Sequence, residues 1–268
     1  MNLNLPFTKK RMPIFFFGHG SPMNAIEKSD YTEMLSIIGK KIPTPKSILC
    51  ISAHWMSEGT WITHTKNPRT IHDFYGFPKE LFDVQYPANG DIALAERIQS
   101  VIKSPQIQAD NEMWGYDHGT WSVLKHIYPE ANIPVLQLSI YMEQPGEYHF
   151  RLGEALKFLR DEDVLIIGSG NLVHNLRTID WDRNAKPHDW AVECDLWMKE
   201  KLLARDFKAL VNDATKSQAG KLSIPSPDHY YPILYILGAA YEDEKMRFEY
   251  EGIHNASISM RSISFGMI

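Results

Sequence analysis

The chain has 268 residues, 44% of them hydrophobic, which is enough to bury a large core. A formal net charge of −5 without a basic stripe argues against a nucleic-acid-binding protein. Two cysteines and no apolar run near ~20 residues argue against a disulfide framework or a membrane span, so we expect a cytoplasmic protein.

After a polar leader at residues 1–11, the first predicted element is a strand at Pro13–Phe17. Its continuous apolar run, bounded by turn residues, is typical of a strand buried on both faces. Gly18 and Gly20 allow a sharp turn directly after it, and His19 lies between them. This histidine therefore follows the carboxyl end of a buried strand, where α/β sheets place their ligands.

The remaining elements alternate between helices and strands, which predicts a single α/β domain with a mixed, mostly parallel sheet flanked by helices. Helices are predicted at 30–41, 91–104, 122–127, 146–161, 189–205 and 228–241. Strands are predicted at 47–53, 60–65, 133–140, 164–167, 247–250 and 257–265. Asp30 is expected to cap the first helix, and the last two strands are expected to pair antiparallel.

Two further buried strands also lead to a histidine. The strand at 47–53 runs into His54, and the strand at 164–167 leads through Gly168 and Gly170 to His174. Because neighbouring strands lie ~4.8 Å apart, imidazoles at two such ends can converge on one ion, with metal–nitrogen bonds of about 2.1 Å. Such a metal site would be assembled by the fold rather than by a local motif.

An aromatic loop at Ile71–Pro78 contains His72 and Phe74. Aromatic rings around a polar pair can form the wall of a pocket for a flat ligand. They can equally pin the loop to the core, and on the residues alone we favour that reading.

Five of the eleven histidines lie at or near a strand or helix boundary, close to Gly, Asn, Trp or Pro. They are His19, His54, His118, His174 and His229. Loops on a rigid scaffold are where chemistry tends to occur. Two interpretations stay open on these residues alone: a metal bound by some three of the five, or a hydrogen-bonding network without a metal.

No other catalytic motif competes with these histidines. The sequence has no Gly-x-Ser-x-Gly elbow, no phosphate-binding loop, no His-Glu-x-x-His helix and no Cys-x-x-Cys pair. Gly168-Ser169-Gly170 is similar to the start of a dinucleotide loop, but Val173 stands where the third glycine belongs.

Six motifs together resemble the class III extradiol ring-cleavage dioxygenases, in their DOPA-type branch. They occur in the order of that family and run from residue 18 to residue 230. They are Gly18–Asn24, Ser52–Trp55, Ile71–Pro78, Trp114–Trp121, Gly168–Leu176 and Pro227–Tyr230.

The resemblance implies a catalytic domain at 12–268 with one divalent metal per chain, Zn²⁺ or Fe²⁺. His19 and His54 would be metal ligands, and His229 a third. His174 would be either a further ligand or the catalytic base, and His118 a catalytic residue facing the substrate and the oxygen. An all-histidine shell differs from the two-histidine, one-carboxylate set of many Fe²⁺ oxygenases and suits Zn²⁺ as well.

The implied reaction is the 4,5-cleavage of a catechol such as L-DOPA by O₂. Given the resemblance, we favour the interpretation that the aromatic loop forms the wall of a pocket. His72, Phe74 and Tyr230 would then bind the substrate. A monomer or small homo-oligomer is expected. Two rival functions remain: a zinc-dependent hydrolase that activates water on the same histidines, and a non-catalytic binder of aromatic ligands.

Overall fold

A computed structural model describes residues 11–111 and 113–267, so all but the last residue of the expected leader lies outside the described residues. The strands are β1 Ile14–Gly18, β2 Ser47–Ser57, β3 Thr60–Thr63, β4 Ile107–Asp110, β5 Val135–Tyr141, β6 Val164–Gly170, β7 Met246–Tyr250, β8 Ile253–His254, β9 Ile258–Ser259 and β10 Ser262–Phe265. The α-helices are α1 Asp30–Lys41, α2 Lys79–Phe82, α3 Ile92–Val101, α4 His118–Ile127, α5 Gly146–Leu156, α6 Asp189–Leu203, α7 Phe207–Asn212, α8 Gln218–Ser223 and α9 Tyr231–Ala239. Short 3-10 helices lie at Pro22–Ala25, Lys157–Glu162 and Leu176–Thr178.

Eight strands form one mixed sheet in the order β4-β3-β5-β2-β6-β1-β10-β7, which confirms the predicted fold class. The central strands β5, β2, β6 and β1 are parallel, and β10 and β7 add an antiparallel edge, as expected for the last strands of the chain. Within the described residues, no helix is long and apolar enough to cross a membrane. The cytoplasmic location stays a prediction.

Strand β1 is apolar on both faces because a layer of helices covers each side of the sheet. Ile14 and Phe16 contribute to one hydrophobic cluster, and Phe15 and Phe17 to the other. All four side chains are fully buried. The continuous apolar run therefore marks the middle of the sheet, as the sequence predicts.

The cap of α1 and the start of α4 differ from the sequence prediction. Asp30 does not cap α1, because Ser29 precedes it and forms a reciprocal capping box with Thr32, at 2.9 and 3.3 Å. Helix α4 begins four residues before the predicted Ser122, because the side chain of Asp117 accepts from the backbone N–H of Thr120 at 3.2 Å.

The order β2-β6-β1 brings together the three strands that lead to histidines. Pairing between β2 and β5 is irregular between Ile51 and Met56, where β2 has four intervening residues and β5 has one. His54 lies in this irregular stretch. The extra residues of β2 bulge away from the regular ladder, as is common beside functional sites.

Candidate metal centre

Three histidines from separate parts of the chain meet at the carboxyl edge of the sheet. His19 directly follows β1, His54 lies in the bulge of β2, and His229 lies in the turn before α9. One ring nitrogen from each lies within 4.8 Å of the other two, and His19 Nε2 is 3.1 Å from His54 Nε2. The fold therefore brings together the three residues expected as metal ligands.

The hydrogen bonds of His19 fix which nitrogen carries its proton. The Ser169 hydroxyl donates to the carbonyl oxygen of Gly119 at 2.5 Å, so its oxygen accepts from His19 Nδ1 at 3.0 Å. With the proton on Nδ1, His19 Nε2 presents a lone pair to His54.

Asp73 fixes the tautomer of two histidines at once. Its Oδ2 is 3.0 Å from His54 Nδ1, and its Oδ1 is 2.9 Å from His118 Nδ1. An ionised carboxylate only accepts, so both rings carry a proton on Nδ1 and a lone pair on Nε2. Oδ1 also accepts from the backbone N–H of His118 at 3.0 Å.

His229 is oriented in the same way. Its Nδ1 donates to Asp228, and the Ser226 hydroxyl donates to the other oxygen of that carboxylate. All three histidines thus have Nδ1 hydrogen-bonded and a lone pair on Nε2. Two such lone pairs at 3.1 Å repel each other unless a cation or a proton lies between them, so this donor set fits a divalent metal.

Burial and neighbouring charges set the protonation of these rings. Burial lowers the pKa of His19 well below its ordinary value, and His54 and His229 lower it further. Burial followed by His54 likewise lowers the pKa of His229 well below its ordinary value. Burial alone would lower the pKa of His54, but its hydrogen bond to Asp73 and the charge of Asp117 raise it. Of the three rings, His54 holds a second proton most readily, and a metal ion has to displace that proton in order to bind.

The Asp73 carboxylate stays ionised. Burial alone would raise its pKa, but hydrogen bonds from His118 and His54 hold it well below its usual range. Burial and the nearby His54 lower the pKa of His118 in spite of Asp73. Because Asp73 holds Nδ1–H, the Nε2 atom of His118 is the ring nitrogen left to exchange a proton.

His174 stacks on His229, with ring centroids 3.5 Å apart and ring planes 7° apart. Its ring nitrogens have no hydrogen-bond partner within residues 11–111 and 113–267, although one lies within 4.8 Å of Asp228 and His229 ligand atoms. Burial, followed by the charge of His229, lowers the pKa of His174 well below its ordinary value. The ring is therefore a neutral base beside the three converging nitrogens.

Two glycines allow the backbone to approach these histidines closely. A Cβ on Gly170, at the end of β6, would lie 2.2 Å from the carbonyl oxygen of His229. That oxygen accepts from the backbone N–H of Asn171 at 2.9 Å. A Cβ on Gly119 would lie 2.5 Å from Ser52 Oγ and 2.9 Å from His54 Cδ2. Only glycine fits these two contacts without a shift of the site.

The histidines line a cavity of about 490 Å³. Its apolar wall includes Phe74, Tyr75 and Phe77 from the aromatic loop, together with Ile179 and Ile258. Pockets of this size and lining are typical of small-molecule sites. His19, His54, His118, His174 and His229 all face this one cavity.

Two of the residues expected to bind the substrate, His72 and Tyr230, are not among the described residues that line the cavity. His72 Nε2 donates to the carbonyl oxygen of Val84 at 2.9 Å, and its ring packs against Phe74 and Trp121. Tyr230 is buried, and its hydroxyl donates to the carbonyl oxygen of Leu210 at 2.7 Å. These contacts hold the aromatic loop and the turn of His229, so the loop is both pinned to the core and part of the pocket.

The sequence interpretation missed the groups that orient the rings, namely Asp73, Asp228 and Ser169. Asp73 directly follows His72, and Asp228 directly precedes His229, so each lies inside a motif already singled out. Metal-ligating histidines commonly donate their second nitrogen to a carboxylate, and that rule was the available signal.

Residues 14–266 match the family described as the catalytic LigB subunit of aromatic ring-opening dioxygenase. A protein of Escherichia coli strain K12 named 4,5-DOPA dioxygenase extradiol is 43% identical over 259 residues, covering 96% of this chain and 95% of that protein. A protein of Beta vulgaris with the same name is 38% identical, covering 90% of each chain. The crystal structure of an uncharacterized Escherichia coli K12 protein has a TM-score of 0.84 at 39% identity, covering 95% of this chain and 99% of that chain.

Proposed function

The chain belongs to the catalytic LigB family of aromatic ring-opening dioxygenases, as its six motifs predict, and we propose that it opens the ring of a catechol such as L-DOPA by 4,5-cleavage with O₂. The observation that supports this function most strongly is the convergence of three imidazole nitrogens beneath an aromatic-walled cavity, with two further histidines beside them.

We assign His19, His54 and His229 as the residues that hold the metal. His19 Nε2 faces His54 Nε2, one ring nitrogen of His229 lies within 4.8 Å of ligand atoms of both, and each Nδ1 is held by Ser169, Asp73 or Asp228. When bound there, Fe²⁺ supplies Lewis acidity towards the catechol oxygens and an electron for O₂, whereas Zn²⁺ supplies Lewis acidity alone. We therefore propose Fe²⁺ as the metal of the ring-opening reaction.

We assign His174 as the general base for a catechol hydroxyl, rather than as a fourth ligand. Its neutral ring has no competing hydrogen bond in the described parts of the chain, and it borders the same cavity. Because its lowered pKa keeps this ring unprotonated, it can accept a proton from a hydroxyl whose own pKa a bound metal would lower.

His118 is assigned as the residue that gives a proton to the developing product. Asp73 holds its Nδ1–H, so Nε2 points its lone pair at the cavity and can take up and return one proton. A positioned proton donor of this kind contributes about 10²–10⁴-fold in rate. Phe74, whose ring lies 5.7 Å from that of His118, would pack against the substrate ring.

An oxygen electrode tests the reaction. Fe²⁺ is first loaded into the protein under anaerobic conditions, and the loaded protein is then transferred to buffer that contains O₂. On addition of L-DOPA or another catechol, it should consume O₂ and form a yellow ring-opened product. No uptake with any catechol would overturn the dioxygenase assignment. Ester hydrolysis that proceeds without O₂ would instead support the hydrolase.

Two variants separate the roles of the histidines. His19→Ala should lose stoichiometric metal in elemental analysis, because a ligand nitrogen is removed. His118→Ala should keep the metal but lose about 10²–10⁴-fold in turnover. His64→Ala is the matched control, because His64 bonds Asn111 and lies outside the cavity wall. Unchanged metal in His19→Ala, or unchanged turnover in His118→Ala, would contradict these assignments.

A further inference from the structure

A pair of opposite charges, Arg183 and Glu27, lines the same cavity as the histidines. Arg183 Nη1 lies 3.4 Å from Glu27 Oε2, and the two side chains are 29% and 43% exposed. Arg183 is the only arginine or lysine among the described residues of the cavity wall. This guanidinium is therefore in contact with a carboxylate and partly open to solvent.

Arg183 is joined to the metal centre through Asn24. The Asn24 side chain is 3% exposed, and its Nδ2 donates to the carbonyl oxygen of His19 at 2.9 Å. Its Oδ1 accepts from Arg183 Nη2 at 3.4 Å. One buried amide thus contacts both the backbone of a metal-holding histidine and the guanidinium.

The segment that carries Arg183 is held in place by backbone hydrogen bonds. Asn255 N–H donates to the carbonyl oxygen of Arg183 at 3.0 Å, and Asn255 exchanges two further hydrogen bonds with Asp180, at 2.9 and 3.1 Å. The side chain is held less firmly, because both of its contacts are 3.4 Å, longer than ordinary hydrogen bonds. A guanidinium with five donors on an ordered segment is suited to a planar anion.

We propose that Arg183 and Glu27 select substrates whose ring substituent ends in an α-amino acid group, with the carboxylate on Arg183 and the ammonium on Glu27. The proposal rests on the catechol-opening function, because it places the reacting hydroxyls at the histidines and the substituent at the Asn24 side. A cavity of about 490 Å³ has room for both parts.

The carboxylate of Glu27 favours a zwitterion over a simple anion. An anion bound to Arg183 approaches Glu27, which lies 3.4 Å from the same guanidinium, and like charges at this distance repel. A ligand with an adjacent ammonium group gives Glu27 a new partner while its carboxylate makes a bidentate contact with Arg183. Both charges of the protein are then paired.

Four catechols with matched substituents test the proposal. L-DOPA carries both charges, dopamine the ammonium alone, 3-(3,4-dihydroxyphenyl)propionate the carboxylate alone, and 4-ethylcatechol neither. Binding of each to the Zn²⁺-loaded protein is measured by calorimetry, and kcat/KM is measured with the Fe²⁺-loaded protein. The binding measurement does not require turnover, so failure of ring opening and failure of the charge subsite give different results.

In the wild type, L-DOPA should bind most tightly of the four. Arg183→Gln should weaken L-DOPA and the propionate about tenfold or more, the loss expected for one charge-assisted contact, and leave 4-ethylcatechol unchanged. Glu27→Gln should weaken L-DOPA and dopamine but not the propionate. Arg97→Gln is the matched control, because Arg97 forms a similar exposed pair with Glu162 outside the cavity wall.

Equal losses for all four catechols in Arg183→Gln would overturn the proposal, because they would indicate a structural role. Equal affinity of the wild type for L-DOPA and 4-ethylcatechol would overturn it as well. Selective binding of L-DOPA without O₂ uptake would support the subsite and contradict the dioxygenase function.

Discussion

Asp73 accepts hydrogen bonds from two histidines that are assigned different tasks. His54 is expected to hold the metal and His118 to exchange a proton, and one carboxylate fixes the tautomer of both. Groups that orient a metal-ligating histidine are often as important as the ligand itself. At the scale of single residues, a substitution of Asp73 should therefore affect both metal binding and proton transfer.

We expect Asp73→Asn to weaken metal binding about 10- to 100-fold, the loss typical of such orienting partners. The amide oxygen should stay opposite His118, where the backbone and the ring both donate to Oδ1. The amide NH₂ then faces His54 Nδ1, which has to move its proton to Nε2, the nitrogen that we assign to the metal. Competition with a chelator measures the change in affinity.

Asp83→Asn is the matched control for this substitution. Asp83 lies in the same stretch of chain, but its carboxylate pairs with the exposed Lys79 at the surface. Its loss should leave metal affinity unchanged. Wild-type affinity in Asp73→Asn would show that the carboxylate does not set the tautomer of His54.

At the scale of elements, Gly170 lets the end of β6 lie against the turn of His229. We expect Gly170→Ala to lower the free energy of unfolding by about 1–3 kcal/mol, because its Cβ would lie 2.2 Å from the carbonyl oxygen of His229. The shift of that turn should also weaken metal binding. Urea unfolding measures the first effect, and chelator competition measures the second.

Gly39→Ala separates a loss of stability from a change in the site. Its Cβ would lie 2.3 Å from the carbonyl oxygen of Ile127, at the opposite end of α4 from His118. It should destabilise the fold to a similar extent and leave metal affinity unchanged. If both variants lost metal equally, the contact at Gly170 would have no special role in placing His229.

Elements in the middle of the sheet were predictable because their sequence is simple. β1 begins and ends within one residue of the prediction, since an apolar run that starts at a proline and is followed by a glycine allows few alternatives. The predicted start of α4 was four residues too late, because Gly119 has a low helix propensity, whereas the capping carboxylate of Asp117 starts the helix before it. β4 was missed because it is a short strand at the sheet edge with two partly exposed residues.

Three histidines of the site were predictable for the same reason, because each of three buried strands leads to one, namely His19, His54 and His174. The contact between Asp73 and His118 was not, because 45 residues separate them and the aromatic loop has no regular periodicity. Only the folded chain shows which side of that loop faces the cavity. The sequence therefore predicted the histidines that meet at the cavity, but not the side chains that orient their rings.

At the scale of the whole molecule, a buried histidine that does not line the cavity should make the fold sensitive to acid. His149 is fully buried in α5, its Nδ1 lies 2.9 Å from the Tyr235 hydroxyl, and its ring packs 4.0 Å from that of Tyr231. Burial lowers the pKa of His149 from 6.5 to about 4. As the pH falls below 6.5, the unfolded chain takes up a proton that the folded chain refuses, so stability is lost down to about pH 4 and no further.

We expect this one group to remove about 2 kcal/mol of the free energy of unfolding between pH 7 and pH 5. In the double variant His149→Phe/Tyr235→Phe, the free energy of unfolding should fall about 2 kcal/mol less over the same pH range than in the wild type, because the titrating ring is gone. Replacing Tyr235 as well removes the hydrogen-bond partner of His149, so no unpaired hydroxyl is left. Urea unfolding at both pH values, with the same saturating metal in each protein, measures the difference. Because both proteins keep the same metal centre, acid release of the metal cancels in the comparison. An equal loss of stability in the two proteins would mean that His149 is protonated in the folded state, or that the acid sensitivity arises at the metal centre alone.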